Sequence, residues 1–193
     1  MAGISGPSHD SPGKATTVSM TLRRGVPTLL ALLAICAPAV WAQEAGGDRL
    51  NTPEGVVREL YDLVTFDAGT TPDWDAARAL FIDEAVIVLR TSRTGNTVFS
   101  VETWIQDFVD FIERAEVEKT GFTEAITRMS PTVFGDVANI WVLYEASIPG
   151  DGRPPRPGVD NFSLVRRDGR WLIAAITNEV PAVAGPVPEA LSD

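Results

Sequence analysis

Three side chains of this 193-residue chain could move a proton on a bound molecule: Asp160, Glu124 and Tyr144. A carboxylate set among apolar groups loses hydration. Its ionised form is then disfavoured, and its pKa rises towards the range where a general acid or base is useful. A phenol nearby adds a hydrogen-bond donor. The expected ligand-contacting residues are Trp141, Phe162, Thr177 and Asn178.

Carboxylate chemistry is what remains once other chemistries are removed. The chain has one His, His9, and one Cys, Cys36, and both precede residue 43. Residues 20–42 read as a secretory leader: Arg23 and Arg24 are basic, Val26 to Val40 is apolar, and Val40 and Ala42 occupy the -3 and -1 places of a small-residue cleavage site. Signal peptide 1–42 is therefore expected, with Met20 as an alternative start, and so is export to a periplasmic or extracellular place. The remaining polypeptide has neither imidazole nor thiol. It can build no Ser–His–Asp triad, Cys nucleophile, His/Cys zinc site or disulfide. No EF-hand spacing occurs either, and Asp73 and Asp75 around Trp74 read as first-turn helix acids. No metal and no cofactor are expected. Removal of Lys14, Arg23, Arg24 and Asp10 with the leader takes the formal charge from -10 to -12. Such an acidic chain is a poor partner for nucleic acid or an anionic membrane.

The elements that must position these groups follow from periodicity. Thr52-Pro53-Glu54 combines an N-cap hydroxyl, Pro at the first helical position and an acid in the first turn. Val56, Val57, Leu60, Tyr61, Leu63 and Val64 then recur at helical spacing. Thr71-Pro72-Asp73 repeats that start for a short second helix. Ala85–Leu89 and Thr97–Phe99 predict a hairpin around Gly95-Asn96. Ser100 caps a third helix, whose buried stripe is Trp104, Ile105, Phe108, Val109 and Ile112. From Gly121 the period is two. Strands are predicted over 122–134, 137–148, 159–167 and 170–178, with an edge or bulge at Pro131. Asp168-Gly169 is the strongest hairpin turn in the chain. The fold class is α+β: one curved antiparallel sheet around three helices, with a pocket between them. The domain should span 43–180, and the Pro-rich tail 181–193 should be flexible.

Counting alternation from the Asp168-Gly169 turn pairs Leu164 with Ile173. It puts Asp160, Phe162, Leu164, Trp171, Ile173, Ala175 and Thr177 on one face. Asn178 falls on the other face unless a bulge intervenes. Around Gly135-Asp136 the same count groups Trp141 with Glu124 and puts Tyr144 on the opposite face. Which face of that hairpin lines the pocket stays open. Large apolar groups on both faces of 137–148 predict a sheet-to-sheet homodimer.

The chain resembles the nuclear transport factor 2-like superfamily, in its SnoaL-like bacterial branch, over residues 51–179. The resemblance rests on WDAARALF at 74–81, Ser100-Val101-Glu102 and Gly121-Phe122-Thr123-Glu124. It rests also on Phe134-Gly135-Asp136-Val137-Ala138 running on to Tyr144-Glu145, and on Asp168-Gly169-Arg170-Trp171. It implies a cone-shaped α+β barrel, often dimeric through its sheet, with a pocket at the wide end. Isomerases, dehydratases, cyclases and epoxide hydrolases occur in the superfamily. Thr123 stands where relatives carry His, and Asn178 where they carry Trp. Without that His, the first expectation is an exported protein that binds a small, largely apolar molecule. Its alternatives are an enzyme using the pocket carboxylates and a dimeric interaction module with a vestigial pocket.

Overall fold

The computed structural model describes residues 49–192; the expected leader, with His9 and Cys36, lies outside the described residues. The first helix, α1 (Pro53–Val64), begins as its sequence dictates: the Thr52 hydroxyl accepts the Gly55 N–H at 3.1 Å. A two-residue strand, β1 (Phe66–Asp67), precedes the short helix α2 (Trp74–Arg78), which Asp73 caps through the Ala76 N–H. The hairpin β2 (Phe81–Arg90) and β3 (Asn96–Phe99) leads into α3 (Val101–Ala115). Ser100 and Thr103 form a reciprocal capping box there, which satisfies N–H groups that a helix start leaves open. Strands β4 (Gly121–Phe134), β5 (Val137–Ser147), β6 (Arg156–Arg167) and β7 (Arg170–Glu179) follow as a meander.

These strands form one seven-stranded sheet in the order β1-β4-β5-β6-β7-β2-β3. The α+β class stands, with one correction. The pairing of β2 with β7 is parallel, so the sheet is mixed, and it is open rather than closed into a barrel. The direction of β2 depends on which meander edge it docks against, and no local pattern encodes that. Pro131 lies on the stretch of β4 beyond its two-residue pairing with β1, where the missing N–H costs no ladder bond. At the β6–β7 turn, Asp168 and Gly169 both have positive φ, 51° and 79°, as a two-residue turn matched to strand twist requires.

The main core joins the apolar face of α1 to one face of the sheet. Val56, Val57 and Leu60 meet Ile87, Ile140, Val142, Phe162, Leu164 and Ile173, all buried. Each such side chain contributes about 1.5–3 kcal/mol on leaving water. A smaller cluster of Phe66, Ile112, Val117 and Phe122 fills the space where β1 pairs with β4. The tail expected to be flexible carries a short helix, α4 (Pro181–Ala184), and then buries Leu191 beside β4 and β5. A single apolar anchor suffices for that, and Pro content does not reveal it. No helix among the described residues is long and apolar enough to cross a membrane.

Candidate functional site

Two one-residue irregularities assemble the site. Between Ser163↔Ala175 and Leu164↔Ile173 the β6–β7 register shifts, leaving Ala174 extra on β7. Between Ile126↔Tyr144 and Arg128↔Leu143 the β4–β5 register shifts, leaving Thr127 extra on β4. Side chains alternate along a strand, so each extra residue moves everything beyond it to the other face. Asn178 therefore stands opposite Asp160, and Glu124 shares its face with Tyr144.

The β6–β7 shift takes one expected residue out of the site, and the β5–β6 pairing takes out another. Thr177 pairs with Asn161 on the far face and is exposed. Trp141 pairs with Asn161 from the other side, also on the far face, and is 37% exposed. Neither lines the cavity. Alternation counted from the Asp168-Gly169 turn misplaces Thr177, because it carries no information about bulges; Trp141 is set on the far face by the β5–β6 pairing, which no local count supplies.

Asp160 is the buried acid among the described residues. Tyr61, from α1, donates its hydroxyl to Asp160 Oδ2 at 2.6 Å, and Asn178 Nδ2 donates to Oδ1 at 2.7 Å. Asn178 Nδ2 also donates to the Tyr144 hydroxyl at 3.0 Å. The two phenol rings tilt against each other with centroids 5.5 Å apart, and Phe162 lies 6.2 Å from Tyr61. Tyr144 needs the bare backbone of its cross-strand partner, Gly158. A Cβ there would fall 2.3 Å from Tyr144 Cζ and 2.4 Å from its hydroxyl.

A cavity of about 320 Å³ opens beside this network. Its apolar lining includes Leu60, Trp104, Phe108, Phe162 and Ile176, and Glu124 enters from β4. Exposed Thr91 and Asp107 mark the side where it meets solvent. Arg90 also lines it, but its guanidinium is committed to Glu179, with Nε donating to Oε1 at 2.9 Å.

Electrostatics set the two carboxyls apart. Burial pushes Asp160 up to about 6, while the bonds from Tyr61 and Asn178 act in the opposite direction by favouring its carboxylate. Burial, then the charge of Asp160, pushes Glu124 up to about 8. The Glu124 side chain has no hydrogen-bond partner among the described residues and keeps some exposure through the cavity it lines. At neutral pH the pair thus holds an ionised Asp160 beside a protonated Glu124. Burial raises both Tyr61 and Tyr144 well above the ordinary phenol range, so both stay neutral donors.

Of the expected site residues, Asp160, Glu124, Tyr144, Phe162 and Asn178 line one cavity. Tyr61 is the residue that sequence reasoning missed, having been read as part of the apolar stripe of α1. A buried Tyr needs a partner for its hydroxyl, and that is the signal that could have found it. No group of three or more His, Cys, Asp or Glu among the described residues could hold a metal ion.

No protein-family model matches the chain, and no curated protein is significantly similar in sequence. Solved structures are similar in shape. An NTF2-like protein with a cystatin-like fold from Novosphingobium aromaticivorans superposes with a TM-score of 0.53 at 17% identity, over 78% of this chain and 95% of its own. A protein of unknown function with a cystatin-like fold from Nostoc punctiforme gives 0.52 at 12% identity, over 68% and 90%. An NTF2-like protein of unknown function from Pseudomonas putida gives 0.51 at 11% identity, over 71% and 87%. Sheet, helices and these likenesses together show that the chain has the nuclear transport factor 2-like, or cystatin-like, fold.

Proposed function

We propose that the protein is an acid–base enzyme that shifts a proton on a small, largely apolar, uncharged molecule, by isomerisation or dehydration. One observation carries this reading: two carboxyls, Asp160 and Glu124, which burial raises to about 6 and about 8, line the same cavity as the phenols of Tyr61 and Tyr144. Asp160 takes a proton from a carbon next to a carbonyl. The C–H electron pair moves towards the carbonyl oxygen, where Tyr144 and the Glu124 acid donate hydrogen bonds to the growing negative charge. Return of the proton to another carbon completes an isomerisation; loss of a β-hydroxyl as water, carrying the proton that Asp160 took, completes a dehydration and restores the carboxylate. Anionic substrates are disfavoured, because the only guanidinium lining the cavity among the described residues is held by Glu179.

Turnover of a panel of ketones and hydroxy-ketones tests the proposal, with Asp160→Asn as the control. Turnover that Asp160→Asn leaves unchanged, or no turnover across the panel, overturns it. A second reading, ligand binding without turnover, draws on the fact that both Asp160 oxygens already accept internal hydrogen bonds. A ligand retained in native mass spectrometry without any turnover would favour it.

Two further expectations belong to this proposal. The protein acts outside the cytoplasm after losing residues 1–42, and N-terminal sequencing of material from its own host checks that. It also works as a homodimer through the far face of the sheet. Exposed Phe134, Val137 and Trp141 support this reading, and a monomeric mass at micromolar concentration would refute it. The SnoaL-like motifs named above support assignment to that branch of the superfamily.

A further inference from the structure

A second cavity, of about 410 Å³, lies between the end of α3 and the segment joining β5 to β6. Arg114 from the last turn of α3, Arg153 from the loop and Arg156 from the start of β6 all line it. Asp151 is the one carboxylate lining it among the described residues, and that carboxylate is taken. The backbone N–H of Arg153 donates to Asp151 Oδ1 and its Nε to Oδ2, both at 2.8 Å. Arg114 and Arg156 make no ion pair among the described residues, although the charge of Arg156 reaches Asp151 and, after the bonds from Arg153, helps to hold its carboxyl below the usual range. Arg49, Arg78, Arg90 and Arg166 each hold a carboxylate. Arg58, Arg93, Arg114, Arg156 and Arg170 make no ion pair among the described residues, and two of these five, Arg114 and Arg156, line one cavity.

The floor of this cavity is aromatic. Buried Phe122 stands edge-on to Phe111 with ring centroids 5.4 Å apart, and Ile148 and Pro154 extend the apolar wall. We propose that the cavity binds a small organic anion, a carboxylate carried on an apolar ring. Arg114 and Arg156 take the carboxylate, and the ring lies against Phe111 and Phe122. Guanidinium groups present planar N–H forks that match a carboxylate. The apolar floor adds the area that an inorganic anion could not use. Both halves are needed, so an inorganic anion or an uncharged ring alone binds weakly. The inference is independent of the acid–base chemistry proposed for the first cavity.

Titration calorimetry of the whole protein with 2-naphthoate, with amide NMR shifts to locate it, provides the test. Saturable binding is expected, with shifts at Phe111, Phe122 and Ile148. Inorganic phosphate and neutral 2-naphthamide should bind at least about tenfold more weakly, the loss of one half of the site. Arg156→Ala should weaken 2-naphthoate by about tenfold and Arg114→Ala/Arg156→Ala by more. Arg114 also offsets the dipole at the end of α3, so the Arg156 variant keeps the test decisive if the double variant loses stability. Unchanged affinity in Arg156→Ala, equal binding of the amide, shifts confined to Tyr61 and Tyr144, or no saturation at millimolar concentration would each overturn the proposal.

Discussion

The two cavities meet at one cluster of rings and treat charge in opposite ways. Phe108 lines the first, Phe111 and Phe122 the second, and the three centroids are 5.4–5.8 Å apart. The first cavity presents carboxyls, and its guanidinium is tied to a carboxylate outside. The second presents guanidinium groups, and its carboxylate is tied to an arginine inside. Burial separates their uses. A carboxyl withdrawn from water shifts its pKa into the working range and becomes a reagent. A guanidinium stays charged across that range, so it serves as a clamp.

Asp160→Asn should break the first cavity alone. The isosteric amide keeps the space but cannot take a proton, so turnover should fall by about 10²–10⁴-fold. Affinity for 2-naphthoate should stay within about twofold, because the second cavity makes no use of Asp160. Steady-state kinetics and calorimetry on the same preparation check both halves. Parallel losses would mean that the cavities are not separate sites.

Gly158→Ala should have the next largest effect. The new methyl would overlap the Tyr144 ring, which must leave its place and its bond from Asn178. Overpacking of this kind costs about 1–3 kcal/mol, read as a lower midpoint in urea. Turnover should fall by about 10–100-fold through loss of a positioned donor. Full activity in this variant would remove Tyr144 from the mechanism.

Acidity sharpens the contrast. Turnover should rise as pH passes about 6 and Asp160 ionises, and fall as it passes about 8 and Glu124 loses its proton. These limits belong to the interacting pair. Glu124→Gln should keep the acidic limb and lose the alkaline one. Binding of 2-naphthoate should be flat over the same range. Stability should follow the same groups. Both folded-state values lie above those of an unfolded chain, so the folded state holds extra protons in between. Their contribution is complete below about pH 4 and disappears as pH rises through about 6 and then about 8. Glu124→Gln cannot ionise, so at pH 9 it should be more stable than the parent by on the order of 1–3 kcal/mol. Equal urea midpoints at pH 9 would contradict the burial of Glu124.

The sequence shows those parts of the fold that local chemistry determines. Thr52-Pro53 and Ser100 set helix starts, Asp168-Gly169 sets a turn, and β-branched alternation sets strands. Asp160 and Glu124 are legible as acids within apolar strands. The parallel direction of β2, the bond from Tyr61 across to β6, and the extra residues Thr127 and Ala174 are not legible. Each depends on a partner distant in the chain. A bulge in particular has no sequence mark when the extra residue is an ordinary Thr or Ala, yet it decides which neighbour faces the ligand.

The smallest expected effect tests that last point. Asn178 and Thr177 are adjacent, and only the bulge at Ala174 gives the cavity Asn178 rather than Thr177. Asn178→Ala should lose the bonds to Asp160 and Tyr144 together and lower turnover by about tenfold, the value of one or two polar contacts. Thr177→Val removes a hydroxyl from the exposed far face, and its stability change should stay within about 0.5 kcal/mol. Its turnover and its pH limits should match the parent. A Thr177 variant as damaged as the Asn178 variant would put the strand back in unbroken alternation. Asp160 would then lack its second donor, and the carboxyl in the first cavity would be a different reagent from the one described.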